Sequence, residues 1–116
     1  MGEHTVSAFD AELNEIDRLL KAMGDTAKTM VELSIRALLS GDAAQAQRVI
    51  SEDTVMDEHQ RDLDDRAITL IAKRQPMAQD LRAVVGSIRM AGDLERIGDL
   101  AKNIAKRVSA VGTTAI

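Results

Sequence analysis

The run GDLERIGDLAKNIAKR, from Gly92 to Arg107, places Glu95 and Asp99 four residues apart. At 100° per residue this spacing stacks both carboxylates on one face of a helix. An earlier stretch repeats the theme with Asp53, Asp57, Gln60 and Asp64, separated by four, three and four residues. Those four side chains fall within about 60° of one another on a helical wheel. Like charges one turn apart destabilise a helix by roughly 0.2–0.5 kcal/mol per pair. A bound cation converts that repulsion into attraction. Carboxylate oxygens suit hard ions such as Mg²⁺, Ca²⁺, Mn²⁺ or oxidised iron. Asp53, Asp57, Asp64, Glu95 and Asp99 are therefore the candidate metal ligands. The pattern alone leaves a second reading open. Charged residues make up 29% of the chain, so some such pairs arise by chance on a solvated face, and Arg61, Arg96 and Lys102 are placed to neutralise them.

Other chemistries find little support. The chain has no cysteine, which excludes disulfides, thiolate catalysis and Cys-type zinc sites. Ser7, Ser34 and Ser40 have no His/Asp partner pattern for nucleophilic catalysis. There is no glycine-rich phosphate loop. A ferritin-like di-iron enzyme wants Glu-x-x-His on two helices, and the chain has no such motif. The methionines sit at core spacing, as packing residues do. The formal net charge of −4 argues against a nucleic-acid partner. No apolar run reaches the roughly 18 residues of a membrane span. Met1–Asp10 lacks a signal-peptide pattern. A cytoplasmic location without membrane insertion is expected.

The carboxylates need long helices to carry them. The chain has 116 residues, and Phe9 is its only aromatic residue. Helix formers dominate, so the expected fold is all-α. The first helix is expected from about Ser7 to Leu39, with Ser7 and Asp10 as a capping arrangement. Its apolar stripe is Phe9, Leu13, Ile16, Leu20, Met23, Ala27, Met30 and Leu38, with Ser34 as the polar member, and Gly24 softens its middle. Gly41 suits a left-handed C-terminal cap and Asp42 the next N-cap. The second helix is expected over Ala43–Lys73, with Val49, Met56, Leu63, Ala67 and Leu70 as its stripe. Pro76 opens the third, expected to reach Val108. There Met77, Leu81, Val84, Ile88 and Ala91 form a stripe that runs on into Glu95, Asp99 and Lys102. Past Asp93 the apolar residues Ile97, Ala101, Ile104 and Val108 move to the other side. Glu95 and Asp99 are thus expected to face a groove, with Gly92 and Gly98 flanking them to permit close approach. Three helices of about 30 residues and 45 Å, joined by short loops, give an antiparallel up-down-up three-helix bundle with long helices as one domain over residues 1–116.

RQPMAQDLR (Arg74–Arg82), GDLERIGDLAKNIAKR and the opening GEHTVSAFDAELNEIDRLLKAMG resemble the PhoU family of bacterial phosphate-signalling regulators. The resemblance implies a non-catalytic protein whose Glu/Asp-xxx-Asp motifs hold metal ions, including multinuclear iron clusters, on an exposed face. Glu95 and Asp99 match the motif on the third helix, and Asp53, Asp57 and Asp64 match acidic positions on the second. Gln60 departs from the Glu often found there; its amide oxygen can ligate a hard cation but brings no charge. Family members usually carry two such bundles in tandem, and this chain corresponds to the first, so a homo-oligomer is expected to supply the other. The implied role is negative regulation of phosphate uptake and of the phosphate regulon. The implied partners are the ATPase subunit of the phosphate ABC transporter and a PhoR-type sensor histidine kinase. The implied cofactor is iron, manganese or magnesium.

Overall fold

A computed structural model describes the backbone of residues 2–111 and the side chains of residues 8–108, 110 and 111. Three helices follow one another: α1 (Gly2–Ser40), α2 (Ala43–Arg74) and α3 (Ala78–Val111). Each packs against the other two. The result is an all-α three-helix bundle, a rod of 66 × 18 × 16 Å. Among the described residues, no helix is long and apolar enough to cross a membrane. The GTTAI tail lies outside the described residues.

The first break forms as its residue types dictate. Gly41 takes φ 70°, and the Asp42 N–H donates to the Ala37 carbonyl at 3.0 Å, as in a Schellman cap. Asp42 then caps α2, its side chain accepting from the N–H groups of Ala44 and Gln45. The second break is one residue longer and more strained. Gln75 closes α2 in the left-handed region at φ 48°, with its N–H bonded to the Ile71 carbonyl at 2.9 Å. Ala78 is also left-handed, at φ 52°, so α3 starts there and not at Pro76. Arg74 ties this end of α2 to α1 through Glu12 at 2.7 Å, an ion pair that holds the Glu12 carboxyl below its usual range. At the other end of the chain, α1 begins at Gly2. Ser7 and Asp10 therefore lie within the helix, because nothing in Glu3–Val6 ends it. Gly24 does not interrupt α1.

Each helix lays down a seam of alternating three- and four-residue steps. On α1 it includes Ile16, Met23, Ala27, Met30, Ser34 and Ala37, all buried. Ser34 is satisfied by donating to the Val31 carbonyl at 2.9 Å. On α2 the expected stripe is buried throughout, and Ala46 and Asp53 join it. On α3 the seam is Val84, Ser87, Ala91, Gly98, Ala101, Ala105 and Val108. The expected change of side does not occur. Met77, Leu81 and Ile97 are exposed, and one continuous seam of small residues faces the bundle centre. Val84, Ala91, Ala101 and Val108 of the expected stripe are buried in that seam, and Ser87, Gly98 and Ala105 complete it.

Gly98 is inside that seam. A Cβ there would lie 3.4 Å from Met56 Cε and 3.5 Å from Met30 Sδ, so its lack of a side chain lets two methionines meet α3. Gly92 has open space where a Cβ would go; no neighbouring protein chain requires it. Replacing Gly98 by Leu forces both methionines aside and is expected to cost about 1–3 kcal/mol in urea unfolding. Gly98→Ala, which gains helix propensity against one tight contact with a flexible side chain, is expected to stay within about 1 kcal/mol of wild type.

Candidate metal centre

Met56 of α2 lies against Gly98 of α3, and on the same two helices Asp53 meets Lys102. Asp53 occupies a core position of the α2 seam and is only 6% exposed. Its Oδ2 accepts from Lys102 Nζ at 3.0 Å. The same ammonium lies 3.5 Å from Asp99 Oδ1, one turn before it on α3. Lys102 thus bridges the helices, its own protonated form favoured first by the hydrogen bond it donates to Asp53 and then by the charges of Asp53 and Asp99. The second oxygen of Asp53, Oδ1, is buried and has no hydrogen-bond partner.

Glu95 reports the electrostatics of the group. Partial burial pushes its carboxyl above the usual range, and the charges of Asp57, Asp99 and Asp53 push it further; Lys102 opposes them. Four of the five candidate ligands, Asp53, Asp57, Glu95 and Asp99, therefore share one field at the α2–α3 seam. Asp64 stands apart, two turns beyond Asp57 on α2. Burial raises its carboxyl and Asp65 adds to the shift, and its Oδ1 is also buried without a partner. A shallow pocket lined by Asp57, Gln60, Arg61 and Asp64 connects the two places. Among the described residues, no three Asp, Glu or His side chains are gathered around one point; the ammonium of Lys102 lies between Asp53 and Asp99 instead. Arg96, the other expected neutraliser on α3, pairs with Asp93 on the exposed face.

The donor set fits a hard cation in its chemistry. It is all oxygen, it carries like charges on adjacent helices, and it holds a buried carboxylate oxygen with nothing to bind. Sequence reasoning missed the reach of Lys102 to Asp53. Lys102 continues the Glu95–Asp99 stripe at a further three residues, which marked it as a neutraliser on α3, but its partner on α2 depends on register.

An elongated three-helix bundle with an acidic seam between two helices defines the class. A PhoU domain matches residues 20–108, and the chain belongs to the PhoU family. Similar proteins include a phosphate-specific transport system accessory protein PhoU homolog of Rhizobium meliloti (strain 1021), 55% identical over 97% of this chain and 48% of the relative. The homolog of the same description from Caulobacter vibrioides (strain NA1000 / CB15N) is 41% identical over 92% of this chain and 46% of its own. That of Pseudomonas putida is 38% identical over 90% and 41%. The chain spans about half the length of the curated relatives it matches.

The raised Glu95 carboxyl has a definite pH signature. Its folded form holds a proton that the unfolded chain releases at the ordinary value, so its contribution favours folding below that value. That contribution is lost as pH rises through the shifted range. Glu95→Gln is therefore expected to raise the melting temperature of metal-free protein at about pH 7.5 and to leave it unchanged at about pH 4. Thermal unfolding followed by circular dichroism at both pH values checks this.

Proposed function

We propose that the chain is a non-catalytic, metal-binding accessory regulator of phosphate uptake and phosphate-regulon signalling, acting on the cytoplasmic side. The observation that carries the metal reading is the buried Asp53 Oδ1, which has no hydrogen-bond partner among the described residues, on a seam where the charges of Asp57, Asp99 and Asp53 act together on Glu95. The family and the names of its relatives support the phosphate role. Asp53, Asp57, Glu95 and Asp99 would hold an iron, manganese or magnesium ion, singly or in a cluster, with Asp64 and Gln60 as an extension along α2. Such an ion supplies positive charge to the seam and fixes the spacing of α2 and α3. Self-association of the chain is part of the same proposal.

As an adaptor, the protein would join the ATPase subunit of the phosphate ABC transporter to a PhoR-type sensor histidine kinase. The outer face of α3 is suited to such contact. Arg82, Arg89 and Arg96 recur every seven residues along it and are exposed. Arg96 pairs with Asp93, whereas Arg82 and Arg89 have no ion-pair partner among the described residues. Met90, Ile97 and Leu100 stand beside them at 54%, 39% and 63% exposure. Mixed apolar and basic side chains at helical spacing fit an acidic amphipathic partner.

One observation favours a second reading. Lys102 neutralises Asp53 and Asp99 without any metal, as a plain helical interaction domain requires. Titration decides between them. Saturating Mn²⁺ at 100 times its Kd is expected to add about 2.7 kcal/mol to stability, and an Asp53→Asn, Glu95→Gln, Asp99→Asn triple variant is expected to lose that response while remaining helical. No change in melting temperature for the wild-type protein leaves the plain interaction domain. For the contact face, Arg82→Glu with Arg89→Glu is expected to weaken binding to the transporter ATPase subunit about tenfold at low salt, and less at high salt, in a surface-binding assay.

A further inference from the structure

We propose that Lys102 is a tethered counter-ion of the acidic seam, seated in competition with a metal ion and expelled when one binds. The inference rests on the metal reading above and concerns how that site is regulated. Among the described residues, Lys102 is the one cation that reaches the buried carboxylate: its Nζ is 3.0 Å from Asp53 Oδ2 and 3.5 Å from Asp99 Oδ1. Asp53 is 6% exposed, and its remaining oxygen has no partner. The seam therefore contains a deeply placed negative charge whose only direct neutralisation comes from this ammonium.

A hard cation takes several oxygen ligands. With Asp53 Oδ2 and Asp99 Oδ1 engaged by Lys102, only Asp57 and Glu95 remain in the group. Consistent with this, no three acidic or histidine side chains are gathered around one point among the described residues. A metal ion must displace Nζ to collect a full set. Lysine is suited to leaving. It is a compact charge on a flexible four-carbon stem, without the fixed fork of arginine. Its side chain is 25% exposed, so the ammonium has a direct route to solvent. The exchange swaps one positive charge for two or three in the seam and releases a lysine onto the surface beside Asp99. The two states of the site then differ in surface charge as well as in the rigidity of the α2–α3 contact.

The test compares Mn²⁺ binding by the full chain and by its Lys102→Met variant, which keeps the length and packing of the stem without the charge. Removing the competitor is expected to tighten Mn²⁺ binding about tenfold, while the metal-free variant melts lower than wild type. Equal or weaker binding by the variant overturns the inference while the wild-type titration preserves the metal reading. Failure of both proteins to bind Mn²⁺ overturns the metal reading and the inference with it. A second measurement needs no variant: reductive methylation of wild-type protein, read at Lys102 by mass spectrometry. Saturating Mn²⁺ is expected to speed modification at Lys102 relative to Lys21 and Lys28 on α1, and an unchanged relative rate overturns the inference.

Discussion

A carboxylate set into the seam of a helical bundle needs a cation. Asp53 stands where α2 places Ala46, Val49, Met56 and Leu63, and its side chain has left water almost completely. An uncompensated charge in such a place is costly, and removing one partner of a buried pair typically costs about 3–5 kcal/mol. Lys102 supplies the compensation from the neighbouring helix. Its own partial exposure moderates the pair, since the ammonium keeps contact with solvent. Around this interaction the remaining charges are arranged. Asp99 shares the ammonium, Glu95 responds to the summed negative field, and Asp57 faces the same seam one turn along. The small residues of α3 help the two helices pack closely: Gly98 admits Met56 of α2.

Much of the scaffold was legible in the sequence. The breaks at Ser40–Asp42 and Arg74–Pro76 stand out because glycine, aspartate and proline each have a specific backbone consequence. The α2 stripe was legible because its buried members are large and regularly spaced. The α3 seam was legible only in part: Val84, Ala91, Ala101 and Val108 belong to the expected stripe, but Ser87, Gly98 and Ala105 are too slight in hydrophobicity to announce a face, while Met77 and Ile97 are apolar yet exposed. Periodicity weighs side-chain character, whereas packing also rewards side chains that are absent. The start of α1 was misjudged for a related reason: a serine that resembles a cap acts as one only where the helix ends, and here the helix continues to Gly2.

The candidate site divides along the same line. The ladders on α2 and α3 follow from helical geometry within a single element. Their meeting depends on register between elements. Asp64 is not among the charges that act on Glu95, although it shares one edge of α2 with Asp53 and Asp57. The register also sends Lys102 across to Asp53 instead of confining it to Asp99.

Stability alone does not account for the Lys102–Asp53 pair. Hydrophobic side chains of similar volume in place of a buried ion pair are commonly neutral or stabilising, and the neighbouring seam positions already use them. The pair also leaves Asp53 Oδ1 without a hydrogen-bond partner among the described residues. A site that must exchange its cation has a use for both features. It needs a resident charge weak enough to leave, and an oxygen kept free for what replaces it. The other side of α3 shows the complementary logic: its arginines and exposed apolar residues leave the acidic seam to α2 and present a surface of opposite character outward. One helix thus carries an acidic edge facing its neighbour and a basic, partly apolar face open to others.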